Sequence, residues 1–403
     1  MGIARLTWAE VRARRAMRLG LATGLSDPAD VAVALAGVHA QVMASAEVSI
    51  CLRVPGLTRS AVRSSDALVR TYGPRGTVHL FAAGDLGRWT ALLSSVSSVP
   101  DASKLTSEQG DLLVGAIGAA LDGEAELTMD ELDAEVVARA GDWAGELCMP
   151  AFGGMWPRWR HVLPLASMRG VVCFGASRGR RVTYRRPAAL ASASAALASG
   201  DGLASGDGLA SCDGLAASGL SLAEVVPWAV RAYLHAYGPS TPARFANWLT
   251  IDQARAEAMF CSAGLEPVDV EGTAAWVAAG DTGVSESESE SESADMAGVR
   301  LLPYFDSYSY RVGVLCPERM YPGSAAARAL RGPYQNLVVD GLVAGIWQQR
   351  RTGRKIAVTV EAWARLGARQ RELVAEQAAL LASIQEGTLA SVSFGTVTSG
   401  AHA

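Results

Sequence analysis

The sequence predicts an α+β protein made of three tandem winged-helix units followed by a C-terminal β-rich domain. Three observations predict it. Amphipathic helices followed by a β-hairpin occur three times, two low-complexity segments punctuate the chain, and from Val299 the composition turns to apolar strand-forming runs. The 403 residues allow roughly two to four domains. A hydrophobic share of 50% supplies material for buried cores.

The elements follow in order. Thr7-Trp8-Ala9-Glu10 is a capping-box pattern that opens a helix to about Gly20. Asp27-Pro28 starts a second helix running toward His39, and RTYGPRGTVHLF, from Arg70 to Phe81, gives two strands around a Gly-Pro-Arg-Gly turn. In the second round Thr128 to Glu131 caps a helix, Met155 to Met168 reads as helical, and Gly170 to Arg186 reads as a basic hairpin. The third begins at Ser221 to Glu224, continues with helices from Thr241-Pro242 and about Asp252, and ends in a polar hairpin between Leu265 and Ala279. The runs LLPYF, NLVVDGLVAGIWQQ and KIAVTVEAW then read as strands, and a helix from Glu361 to about Gln385 closes the chain. The expected boundaries are 1–100, 101–190 and 219–298 for the winged-helix units and 299–403 for the β domain. A Gly/Asp/Ser repeat linker fills 191–218, and a Ser-Glu alternation at 285–293 is inserted in the third unit.

Charge is unevenly placed along a chain whose formal net charge is −4. Residues 149–187 hold eight arginines and no acid, whereas 101–148 hold twelve acids and two bases. Such segregation suits a protein with one polyanion-facing side, although charge also segregates along many soluble chains with no such partner. The arginines at 158, 160, 178, 180 and 181 are candidate phosphate contacts, with Arg75 in the first hairpin and Arg350, Arg351 and Arg354 in a Thr-Gly turn. Only Lys104 and Lys355 are lysines, which leaves few candidates for a Schiff-base nucleophile.

Six cysteines stand without C-x-x-C or Cys/His ligand spacing, so neither a zinc site nor a disulfide framework is expected. No apolar run reaches membrane-span length, and the Arg-rich N-terminus lacks a signal-type apolar core. A cytoplasmic protein is expected. Gly175 to Gly179 matches G-x-S-x-G, but the strand-like RRVTYRR after it makes it a hairpin tip rather than a nucleophile elbow. No Walker, H-E-x-x-H or Rossmann pattern is present, so no cofactor is implied. His39-Ala40-Gln41 is open to two readings. A histidine ending an apolar helix is more often structural, while an imidazole and a carboxamide two residues apart could together hold one water.

HAQVMASAEVSICLRV, RTYGPRGTVHLF, HAYGPSTPARFANWL, VRLLPYFDSY and LVVDGLVAGIW, in that order, resemble the AlkZ-like DNA glycosylases over about residues 5–380. These are bacterial proteins of tandem winged helices with a C-terminal β domain, here expected to be barrel-like. The resemblance, to the azinomycin-resistance type, implies excision of N7-alkylated guanine from double-stranded DNA; the single copy of each motif gives no reason to expect more than a monomer, and neither a cofactor nor a membrane is expected. The family motif is Gln-x-Gln or Gln-x-Asp. Here Gln41 matches its second position and His39 departs from its first, a variant resembling the self-resistance branch for bulky intercalating adducts. On that basis His39 and Gln41 are the expected catalytic residues of a monofunctional glycosylase. A non-catalytic winged-helix regulator or lesion sensor is the alternative, and a drug-sequestering protein a third reading.

Overall fold

Helix starts in this chain are set by local capping. Thr7 accepts from the Glu10 amide while the Glu10 carboxylate accepts from the Thr7 amide, and the helix Trp8–Arg18 follows. The same reciprocal pair opens Ser107–Ala120 at Thr106 and Met129–Ala140 at Thr128. Single side-chain oxygens of Asp27, Thr241 and Asp252 cap Pro28–Ala34, Pro242–Leu249 and Gln253–Cys261. The computed structural model describes residues 2–98, 105–123, 125–151, 154–188, 190, 220–282 and 298–398. The repeat linker and the Ser-Glu alternation lie outside these residues.

The chain forms two units, Val69–Ala229 on one hand and Met1–Leu68 with Val230–Ala403 on the other. In the discontinuous unit the strand Ala4–Leu6 pairs in parallel with Leu265–Val270, which pairs antiparallel with Thr273–Ala278. Leu6, Trp8, Val11, Val268, Val270 and Val277 close a small core on this sheet. Residues expected in the first and third units thus share one sheet. Tyr233, Phe245 and Trp248 pack ring on ring at 5.0 to 5.9 Å between the helices Leu222–Tyr237 and Pro242–Leu249.

The C-terminal part is a five-stranded sheet in the order Val299–Leu302, Gln335–Val339, Leu342–Thr352, Lys355–Ala362, Thr388–Phe394. The last pair is parallel, so the chain must cross over, and the helix Ala368–Ile384 makes that crossover. Ile356, Val358 and Val360 alternate inward, as do Val374, Ala378 and Leu381 at helical spacing. The closing helix begins seven residues later than the expected Glu361, because Glu361 and Ala362 still pair with Ile346 and Gly345. The strand Thr388–Phe394 was not expected at all; its outer position leaves most of its side chains exposed.

In the unit Val69–Ala229, Leu113, Ile117, Leu132, Val136, Trp159 and Val162 form the core. A three-stranded sheet runs Glu126–Thr128, Thr183–Arg185, Cys173–Phe174. The stretch from Met155 to Met168 is not one helix. It is the end of the strand Gly154–Pro157, a 3-10 turn Arg158–Val162 and a helix Leu163–Met168, broken up because Pro157 and Pro164 cannot donate inside a helix. Gly175 to Gly179 lies in a hairpin turn, with paired Arg178 and Arg181 backbones, and not in a strand-to-helix elbow. No helix of the described residues is long and apolar enough to cross a membrane.

Candidate active site

The helix Pro28–Ala34 stops short of His39 because Ala36 and Gly37 take positive φ values of 51° and 91°. The chain then enters the two-residue strand Val38–His39, a bend carries Gln41, and the helix Met43–Cys51 follows. His39 is therefore extended rather than helix-terminal. His39 is 8% exposed, whereas Gln41 lies at the surface.

The His39 imidazole packs on Phe305 at 4.5 Å and on Tyr310 at 5.6 Å between centroids. Phe305 and Tyr310 meet edge to face at 6.1 Å. Both rings also line an open cleft of about 250 Å³, together with Ser309, Arg311, Tyr334 and Asn336. Phe305 sits at φ 62°, a left-handed conformation that a bulky residue adopts only when its surroundings impose it.

Those surroundings are two buried arginines. Arg53 grips Asp306 with two hydrogen bonds of 2.8 and 2.9 Å, both side chains being fully buried. Ser49 Oγ donates to the same carboxylate at 2.6 Å, and the Tyr308 amide donates at 3.1 Å. Burial alone would push the Asp306 carboxyl up; the Arg53 charge and these hydrogen bonds outweigh it and hold it below the usual carboxylate range. Arg15 donates to the carbonyls of Ser307 and Tyr308 at 3.0 and 2.8 Å. The segment bearing Phe305 is thus clamped from the helices Trp8–Arg18 and Met43–Cys51. Glu47, fully buried, receives Arg59 at 2.6 Å and also pairs with Arg63, fastening Arg59–Arg63 to the helix behind the motif. Sequence reasoning missed Arg15, Arg53 and Asp306; the only signal was an arginine within the apolar run CLRV and an aspartate within PYFDSY.

The predicted DNA contacts fare unequally. Arg160 binds Asp133 at 2.6 Å, Arg178 binds Glu131 at 3.0 Å, Arg181 meets Asp130 at 3.1 Å, and Arg158 pairs with Glu146. Arg169 with Asp111 and Arg186 with Asp122 extend the pattern. The arginine-rich stretch therefore meets the acid-rich one inside the same unit, and much of the segregation along the sequence cancels in space. Arg180 is exposed at the hairpin turn, and Arg75 is half-buried at φ 63° in the turn between Leu68–Tyr72 and Val78–Ala82. Arg350 and Arg354 are exposed at the turn between Leu342–Thr352 and Lys355–Ala362, where Arg351 donates to the carbonyls of Gly353 and Gln385. Among the described residues no group of His, Cys, Asp or Glu side chains is arranged to hold a metal ion.

Comparison with known proteins gives a consistent answer. The family model described as DNA glycosylase AlkZ-like matches residues 33–384, a span that includes His39, Gln41 and the clamped segment. An interstrand DNA cross-link repair glycosylase of Streptomyces sahachiroi is 31% identical over 366 residues, covering 85% of this chain and 88% of that protein. The solved structure of the Streptomyces sahachiroi DNA glycosylase AlkZ matches with a TM-score of 0.73 at 26% identity, over 97% of this chain and 100% of that one. A DNA-acting enzyme displaces the reading of a non-catalytic regulator: the chain belongs to the AlkZ-like family of DNA glycosylases.

Proposed function

We propose that this DNA glycosylase hydrolyses the N-glycosidic bond of bulky N7-alkylguanine in duplex DNA, as self-resistance to a DNA-alkylating, intercalating antibiotic. The observation that carries it is the placement of the motif, with the His39 imidazole packed on two rings that line a cleft and Gln41 at the surface. The relative named for interstrand cross-link repair supports a bulky lesion, and so does a histidine at the first motif position. Alkylation at N7 makes the base cationic, so it departs without a general acid. What remains is to stabilise an oxocarbenium-like sugar and deliver water to C1′. Gln41 orients that water through its amide oxygen, and neutral His39 takes its proton. The test is single-turnover incubation with duplexes carrying N7-methylguanine or a bulky intercalator–guanine adduct, followed by alkali cleavage. Wild type should release base and the His39→Ala/Gln41→Ala double variant should bind without release; equal release by both would remove the motif from the chemistry.

Proton acceptance by His39 predicts an excision rate that falls as the medium is acidified. A rate profile flat from pH 7.5 to 5.5 would limit His39 to positioning.

We assign the three helix-and-hairpin sets to winged-helix units, an assignment supported by a hairpin following helices in each. The protein works as a monomer in the cytoplasm. The exposed arginine turn offers phosphate contacts. Replacing Arg350 and Arg354 by alanine should weaken binding to damaged and undamaged duplex alike and lower the salt slope by about two counterions. An unchanged slope in a fluorescence-anisotropy titration would exclude them.

A further inference from the structure

We infer that Phe305 and Asp306 are positioning residues for His39: the buried pairing of Asp306 turns the Phe305 backbone so that its ring, with that of Tyr310, fixes the plane of the imidazole. The inference rests on the proton-accepting role proposed for His39 and adds what aims that imidazole.

The run from Phe305 to Tyr310 lies outside helix and strand, so no backbone ladder sets its shape. Its four inner residues are all buried, and each is held by a partner far along the chain. Asp306 takes Arg53 and Ser49. Arg15 holds the carbonyls of Ser307 and Tyr308, and Tyr237 Oη donates to Ser307 Oγ at 3.3 Å. Tyr308 Oη donates to the Gly341 carbonyl at 2.9 Å. Tyr321 Oη donates to the Ser309 carbonyl at 2.7 Å, and the Asn336 amide donates to Ser309 Oγ at 2.9 Å. The two residues that end the run, Phe305 and Tyr310, are only half-buried, and both lay their rings on His39.

An imidazole needs such support. The torsion that turns a histidine ring is broad and roughly two-fold, so the side chain by itself does not choose where its nitrogens point. Taking a proton from water requires one nitrogen aimed at it, and misplacement by about 1 Å can cost roughly 10²-fold. Rings tilted at 37° and 44° to the imidazole restrict that torsion by packing. The Phe305 ring reaches its place through a backbone at φ 62°, which is strained for a bulky residue and persists because the next four residues are pinned. Asp306, adjacent to Phe305 and carrying the only charge of the run, is the anchor that acts on His39 through that ring.

The experiment measures single-turnover release from the N7-methylguanine duplex, as the rate at saturating protein and the protein concentration giving half of it. Each variant is made in wild type and in His39→Ala. In wild type, Phe305→Leu should slow saturated release by about 10-fold at unchanged half-saturation, short of the cost of a full ångström's error. Phe305→Tyr, which keeps the ring, should restore most of the rate. Asp306→Asn should repeat the Phe305→Leu pattern. Should that variant fail to fold by circular dichroism, Ser49→Ala, which removes the 2.6 Å bond to the carboxylate, should show a smaller loss of the same kind. In His39→Ala none of these changes should slow release by more than about twofold, the additivity error of independent sites. Equal losses in both backgrounds, a raised half-saturation at an unchanged saturated rate, or a wild-type rate in Phe305→Leu would overturn the positioning role and leave the role of His39 standing. Release by His39→Ala as fast as by wild type would overturn the role of His39 and the positioning with it.

Discussion

Gln41→Ala is expected to slow single-turnover base release by about 10²-fold or more while leaving duplex affinity close to wild type. The physical reason is the asymmetry between the two motif residues. His39 is buried against Phe305 and Tyr310, so its removal also opens a gap in that packing, whereas Gln41 is exposed and its truncation leaves those rings in place. Gln41→Ala is thus the cleaner probe of chemistry. Gln41→Glu keeps the acceptor oxygen and should retain more activity than alanine. A Gln41→Ala rate within threefold of wild type would mean that the water is positioned by another group.

Arg53→Ala should reduce unfolding stability by about 3–5 kcal/mol, the range for removing one partner of a buried ion pair. Asp306 would keep its burial and lose the charge that holds its carboxyl low. Replacing both residues with apolar ones of similar size should recover much of the loss, since two desolvated charges are then removed together. Urea denaturation of wild type, Arg53→Ala and the double variant separates these cases; an Arg53→Ala protein as stable as the double variant would contradict the account. The pair also sets an acid limit. A carboxyl lowered in the folded state contributes fully above its unfolded value, about 3.9 for aspartate. The contribution shrinks as pH falls below that value and is gone once pH passes the lower folded one. In Arg53→Ala this part of the acid dependence should weaken.

Local chemistry was readable from the sequence, and long-range chemistry was not. The capping residues Thr7, Asp27, Thr128, Thr241 and Asp252 act within three residues of themselves, and each starts a helix where its pattern indicates. The apolar runs around Leu337 and Val358 become strands of the C-terminal sheet for an equally local reason. Arg53 and Asp306 are 253 positions apart, and nothing in either neighbourhood announces the other. The left-handed turn at Phe305 follows from that pairing and was invisible for the same reason. Sequence order also misled on charge: arginines of 149–187 face acids of 101–148, a pairing that only the fold creates. His39 could be named through its motif, but its extended backbone depends on Ala36 and Gly37 rather than on the apolar helix before it.

The parallel pairing of Ala4–Leu6 with Leu265–Val270 has a consequence for the order of events on the ribosome. Val69–Ala229 is a continuous stretch and can gather its core as soon as it is synthesised, while the first strand waits for a partner made some 260 residues later. Arg15 and Arg53 wait longer, since Ser307, Tyr308 and Asp306 come later still. Until then both guanidiniums remain hydrated and His39 lacks its aromatic neighbours. A nascent chain therefore carries His39 and Gln41 within its first fifty residues but surrounds His39 with its aromatic neighbours only once Phe305 and Tyr310 have been made.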